Sequence, residues 1–314
     1  MKKFILVFLA CCLFTRILAN DTALNKAPFI VILGTAQDAG YPQIGCTKTC
    51  CQKAWKNPQL KRMVTSLALV DPSIKKWWLF EATPDLKDQL QLFQQITKGD
   101  YSFLPAGIFL THGHIGHYTG LMELGREALN AAAVPVYVLH RMKNYLTING
   151  PWSLLVQLKN ISLQEIQADI PVSITSQLAV TPFLVPHRDE FTETAGYDIQ
   201  WKNKKALFIP DIDKWQKFDR KIDSLVMQSS MAFLDATFFK DGELEGRPMA
   251  EVPHPFVTES MERFRHLSVN DRKKVYFIHF NHTNPLLNTT SSEYRQTVAQ
   301  YHVAAQGAVI RFLQ

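Results

Sequence analysis

Three histidines fall within six residues in the segment THGHIGHYTG, residues 111–120. His112 and His114 are two apart, so in an extended segment both side chains project to the same side. His117 follows three residues later, where GHYTGLMELGREAL begins a helical pattern whose first turn can aim it back at the same point. Neutral imidazoles that converge in this way are the usual ligands of zinc, manganese or iron. Packing gives no comparable reason for three of them directly after an apolar run such as AGIFL.

Further donors stand at the mouths of later apolar runs. His187 closes LVPH, Asp211 follows LFIP, His279 follows VYFI, and His282 lies three residues beyond it. Asp211 could also cap the helical pattern that starts at DKWQKF; we assign Asp211 to the metal and Asp213 to the cap. His254, between prolines in VPHPF, suits a substrate contact or a structural turn, whereas His140, His266 and His302 lack such a context and are expected in surface or core roles. Outside the first twenty residues the cysteines are confined to GCTKTCC, as Cys46, Cys50 and Cys51. Three thiolates so spaced favour a small structural zinc clip whose fourth ligand comes from elsewhere. One disulfide with a thiol left over is the alternative.

The elements that must carry these residues are legible as about eleven β-branched, apolar runs, from FIVILG to AVIRFL. Between them lie amphipathic segments such as DLKDQLQLFQQI, DKWQKFDRKIDSLVMQ and PFVTESMERFRHL. The order is mixed rather than alternating, and GYDIQWKNKKALFIPD has the pattern of a hairpin around KNKK. Two largely antiparallel or mixed sheets covered by helices are therefore expected. With no repeat and no Gly/Ser linker, residues 28–314 are expected to form a single domain. The loop LGTAQDAGYPQIG lacks the Lys-Ser/Thr of a phosphate-binding loop and the spacing of a dinucleotide fingerprint, and is expected to be a functional turn.

Residues 1–19 have two lysines, an apolar stretch and a small residue, Ala19, in the order of a secretory signal peptide. Cleavage after Ala19 predicts an exported protein, periplasmic or secreted, with no stable membrane span afterwards; a lipoprotein attached through Cys11 is the weaker variant. Losing Lys2, Lys3 and Arg16 takes the formal charge from +6 to +3. No nucleic-acid partner is implied by so small a charge, and a small-molecule substrate is expected, with the oligomeric state left open.

The ordered set His112, His114, His117, His187, Asp211 and His279 resembles the metallo-β-lactamase superfamily, whose hallmark is H-x-H-x-D-H followed by a later His, an Asp and a final His. Within it, VILGTAQDAGYPQIGC, FEATPDL, GHYTGL, FLDATFF and IHFNHTNP are similar to the pyrroloquinoline quinone biosynthesis protein B branch. The resemblance implies an α/β fold, a four-layer αββα sandwich with the metals at one edge of the sheets. It also implies a structural zinc at the cysteines, although C-x-x-x-C-C departs from the C-x-C-x-x-C usual there. Gly116 stands where the superfamily usually has the aspartate that binds a second metal, so the second position is expected to be weakened and a single metal is slightly favoured. One or two zinc ions, or manganese or iron, are the implied cofactors.

The activity implied is metal-dependent hydrolysis by an activated water, with an ester-type substrate and a mild preference for phosphodiesters. In the absence of the aspartate, Asp189, Asp211 or His282 is the candidate for proton transfer, and Glu81 is expected to support the histidines from behind. The alternatives are a metal-dependent oxidative enzyme like that of the quinone-cofactor branch, and a non-catalytic ligand carrier.

Overall fold

The computed structural model describes residues 27–312 apart from 245, 247, 250 and 251, so the signal-peptide expectation lies outside the described residues. Six strands come first: β1 (Phe29–Gly34), β2 (Ser66–Asp71), β3 (Lys76–Phe80), β4 (Ile108–Phe109), β5 (Val134–Val138) and β6 (Ile161–Glu165). The next seven are β7 (Val172–Ser173), β8 (Leu178–Leu184), β9 (Ala195–Trp201), β10 (Lys204–Ile209), β11 (Met231–Asp235), β12 (Val275–Ile278) and β13 (His302–Val303). The last, β14 (Val309–Arg311), returns to pair with β1. They form two seven-stranded mixed sheets, ordered β14-β1-β2-β3-β4-β5-β6 and β13-β12-β11-β10-β9-β8-β7.

Side-chain parity explains the layers. In β1, Ile30 and Ile32 face the second sheet, while Val31 and Leu33 face outward into a cluster with Leu86, Leu90 and Phe93 of the helix Leu86–Thr97. The strand is therefore apolar at every position, as a strand covered on both faces must be. In the second sheet, Ala206, Phe208 and Phe233 point inward, whereas Leu207, Ile209, Ala232 and Leu234 meet the helices Ile222–Gln228 and Val257–Phe264. The result is the αββα sandwich. Phe80, Phe109, Tyr197 and Phe208 fill its centre, with Phe80 and Phe109 stacked at 5.1 Å. Each such burial contributes about 1.5–3 kcal/mol.

The KNKK hairpin forms as β9 and β10, with Trp201 opposite Lys204. Two expected helices are shorter than their patterns. DKWQKFDRKIDSLVMQ is a single 3₁₀ turn at Trp215–Lys217 followed by the helix Ile222–Gln228, so Asp213 caps no long helix and instead accepts from the Lys214 amide at 2.8 Å. GHYTGLMELGREAL is one α-turn, Ile115–Tyr118, running into a 3₁₀ segment, Thr119–Leu124. No helix among the described residues is long and apolar enough to cross a membrane.

The parallel sets β3-β4-β5 and β10-β11-β12 run out toward one edge. The extension of β1 joins the sheets at that edge, because Ala36 bridges both Val64 and Phe280.

Candidate metal centre

Each donor stands just past the end of a strand. Beyond β4, the chain leaves the sheet through Leu110, Thr111 and His112. The second sheet holds it there, since Tyr197 donates its hydroxyl to the Leu110 carbonyl and the Ala195 amide donates to Thr111 at 3.0 Å. Glu81 after β3 and His279 after β12 both adopt left-handed backbone, with φ of 72° and 70°. Such conformations cost about 1–3 kcal/mol in residues other than glycine, and they cluster at sites where the chain must turn a side chain inward.

Four donor atoms meet at a first position: His112 Nε2, His114 Nδ1, His187 Nε2 and Asp211 Oδ2. Their separations run from 2.8 Å (His112 to His114) through 3.2 Å (His187 to His114) and 3.3 Å (His187 to Asp211) to 3.5 Å (His112 to Asp211). Tetrahedral zinc, with ligands at about 2.0–2.1 Å, sets its donors roughly 3.4 Å apart, so the cradle fits such an ion. The neighbours fix which nitrogen faces inward. His114 Nε2 donates to Glu190 at 3.1 Å, leaving its Nδ1 as an acceptor, and a cation on His112 Nε2 would leave Nδ1 to donate to Thr111 Oγ1 across their 2.8 Å contact.

A second group gathers beside it. His117 Nε2 lies 3.2 Å from Asp38 Oδ1 and 3.7 Å from Asp211 Oδ2, and His279 Nε2 lies 3.8 Å from Asp38 Oδ1. The threonine hydroxyl of Thr237 donates to Asp235 at 2.7 Å, so His279 Nδ1 must donate to Thr237 across their 2.9 Å contact, which turns Nε2 toward Asp38. Glu81 Oε1 stands 3.5 Å from His117 Nδ1, and Oε2 accepts from the Thr111 amide at 3.4 Å. Although close to one another, Asp38 Oδ1, His117 Nε2 and His279 Nε2 are buried and have no hydrogen-bond partner of good geometry. Buried polar atoms in that condition are costly unless a cation completes them.

The electrostatics agree. Burial, with help from His117, pushes His112 well below the ordinary imidazole range, and burial lowers His114. Both therefore present lone pairs at neutral pH. Burial opposes the charge on His117, but Glu81 and Asp38 hold it well above that range, so its proton supplies positive charge where the carboxylates call for it. Burial would raise Asp38 and Asp211, yet His117 and His279 hold the first, and His187 and His254 the second, well below the usual carboxylate range. His254 Nδ1 sits 2.9 Å from Asp235 Oδ2 and 3.2 Å from Asp211 Oδ1. Despite burial, those two carboxylates push it up to about 10.

Of the residues singled out in the sequence, His112, His114, His187 and Asp211 come together at the first position, His117 and His279 at the second, and Glu81 behind both. Two do not join them. Asp189 turns to Arg141, 3.9 Å away, because residues 186–190 follow no regular strand and two-residue alternation does not carry over; Glu190 is the residue that touches His114. His282 lies with the cysteines, its Nδ1 3.3 Å from Cys51 Sγ and 3.5 Å from Cys50 Sγ, since the left-handed turn at His279 sends the chain away from the pocket. Cys46 and Cys50 sulfurs are 3.8 Å apart, too far for a disulfide and matching roughly the 3.8 Å between sulfurs on a tetrahedral zinc. His282 is thus placed as the fourth donor that the three cysteines lacked.

Asp38, Glu190 and the roles of Thr237, Asp235 and His254 were not picked out from the sequence. Asp38 lies within the QDAG turn of the loop after β1, and the sole signal for it was an acidic residue in a loop already expected to be functional.

Comparison with known proteins accords with this geometry. Residues 76–280 match the β-lactamase superfamily domain. The chain is 25% identical over 313 residues to the coenzyme PQQ synthesis protein B of Xanthomonas axonopodis pv. citri, covering 90% of this chain and 99% of that one. Among solved structures, the zinc-bound PqqB of Methylobacterium extorquens superposes with a TM-score of 0.74 at 21% identity, covering 90% of this chain and all (100%) of that one. A diphosphatase of the PhnP family superposes with a TM-score of 0.65 at 22% identity, over 91% and 98% of the two chains.

Proposed function

The chain belongs to the β-lactamase superfamily, and from that premise we propose that it is a metal-dependent hydrolase acting on an ester-type substrate, with phosphodiesters favoured. The observation that carries the proposal is the convergence of His112, His114, His187 and Asp211 on one point, with the outward nitrogens of His114 and His112 facing Glu190 and Thr111. Likeness of fold to a diphosphatase supports the phosphorus preference.

When bound, a zinc or similar ion supplies a water acidified toward neutrality and an electrophilic pull on the substrate oxygen. The chain's own residues do the rest. The side chains of His112, His187 and Asp211 are buried, whereas His114 is 13% exposed and, with the half-exposed Glu190, forms the rim that substrate would meet first. Glu190, held below the usual carboxylate range by His114, is anionic at neutral pH and orients that imidazole. His254 fixes one oxygen of Asp211 so that the other faces the three histidines.

The proposal is tested by assaying a bis-aryl phosphodiester, a lactone and a thioester with the wild type and with His114→Ala. Loss of a direct ligand should lower turnover of the accepted substrate by more than the roughly 10- to 100-fold typical of residues behind a ligand. Turnover unchanged in His114→Ala would reject this pocket as the active site. A second reading, an oxidative role, is favoured by the likeness to PQQ synthesis protein B along most of the chain. Dioxygen consumption without hydrolysis of any of the three esters would select it.

A further inference from the structure

Gly116 removes the carboxylate that its superfamily usually places before the last histidine of the motif, and the space beside it is filled by another part of the chain. A Cβ built on Gly116 would stand 2.6 Å from the Cα and 2.8 Å from the Cγ of Asp38. Real side chains do not approach so closely, so position 116 is glycine because the turn carrying Asp38 lies against it. We propose that Asp38 supplies, from the loop after β1, the anionic ligand of a second divalent-cation position formed with His117 and His279 and shared through Asp211. The inference rests on the metal reading of the site and extends it to two ions.

Several features of the structure converge on this. Asp38 Oδ1 faces His117 Nε2 at 3.2 Å and His279 Nε2 at 3.8 Å, near the roughly 3.4 Å spacing of donors around a tetrahedral ion. All three atoms are buried and lack a well-formed hydrogen bond. The far nitrogen of His279 is hydrogen-bonded to Thr237 and that of His117 faces the Glu81 carboxylate at 3.5 Å, an orientation that aims both Nε2 atoms at Asp38. The turn is fixed as well: the Ala36 amide donates to Met63 and the Gln37 amide to Phe280, each at 2.9 Å, and Gly40 closes it onto Gln37 at 2.8 Å. A mere surface acid would need none of this. With two nitrogens and two carboxylates, the second position is richer in oxygen than the first, which has three nitrogens, and suits zinc, manganese or iron(II).

The test is zinc stoichiometry and affinity in the full chain, measured by elemental analysis and by competition with a chelator after reconstitution. The wild type should hold one zinc more than Asp38→Ala and Asp38→Asn, the second being close to isosteric and guarding against a folding defect. In Asp38→Asn the weaker zinc should be bound less tightly by more than the roughly 10- to 100-fold that a neighbour of a ligand typically produces, with the tighter histidine-bound zinc unchanged. Gly116→Ala, which alters no donor, should lose the same zinc by pushing the turn away. Cobalt(II) substitution adds a readout independent of turnover: spin coupling between two ions in the wild type, absent from all three variants. Wild-type zinc count, affinity and coupling in Asp38→Asn would overturn the proposal. So would a wild type with one histidine-bound zinc, although the hydrolase reading would stand. A wild type with none at the histidines would remove both.

Discussion

At the scale of single residues, the centre is a balance between carboxylates and imidazoles that a cation would otherwise settle. His254 shows it most clearly, held between Asp211 and Asp235 and raised from the ordinary 6.5 to about 10. A group whose pKa is raised on folding stabilises the folded state fully below its unfolded value and loses that contribution as pH climbs through its folded value. Metal-free protein should therefore lose thermal stability between about pH 6.5 and about pH 10, and His254→Gln should flatten that slope. Thermal melts after chelation, run across that window, check the sign. A wild-type melting temperature that rises with pH there would contradict the assignment.

At the scale of elements, the strands matter less for their length than for where they stop. β4 has two residues, yet its exit presents three candidate ligands at one edge because the opposite sheet grips it through Tyr197. Tyr197→Phe leaves the Leu110 carbonyl without that donor in a buried place, at about 1–3 kcal/mol. Denaturant melts should show the loss, and the histidine-bound metal should be held less tightly; an unchanged midpoint would mean that the grip is dispensable. The same scale explains what could be read in advance. His112, His187, Asp211 and His279 each follow an apolar run, and parallel strand ends share an edge, so their convergence was legible as a pattern. His282 was not, because three residues of spacing conceal the left-handed turn at His279 that separates the two sites. Asp38 gave little signal for another reason: it packs against Gly116 and His279, far away in the sequence, and no local period reports a contact of that kind. For Asp189 and Glu190, an irregular segment removed the alternation on which the choice between them had rested.

At the scale of the whole molecule, the front of the chain is tied to its last third at one edge of the sandwich, and two of the ties lie outside the histidine site. One is the backbone bridge from Ala36 to Phe280, and the other is the cluster of Cys46, Cys50, Cys51 and His282. Burial pushes the Cys51 thiol up to about 12 in the metal-free protein, so that cluster is expected to take zinc with release of protons. Cys51→Ser should cost one zinc and several degrees of melting temperature, while the histidine-bound zinc survives; loss of no zinc would leave the cysteines as a mere packing contact. Ligands of the second position, Asp38, His117 and His279, come from three distant parts of the chain, so that position can form only once both sheets have stacked.

The close fit of Asp38 against Gly116 also bears on descent. A side chain at 116 collides with the backbone of the turn as well as with its carboxylate, so neither single replacement leads smoothly to an arrangement with the acid on the helix. A lineage changing from one to the other must pass through a protein whose loop is displaced or whose two imidazoles have no acid between them. The two positions are therefore expected to change together, so that the pair, rather than either residue alone, would mark chains that share this form of the site.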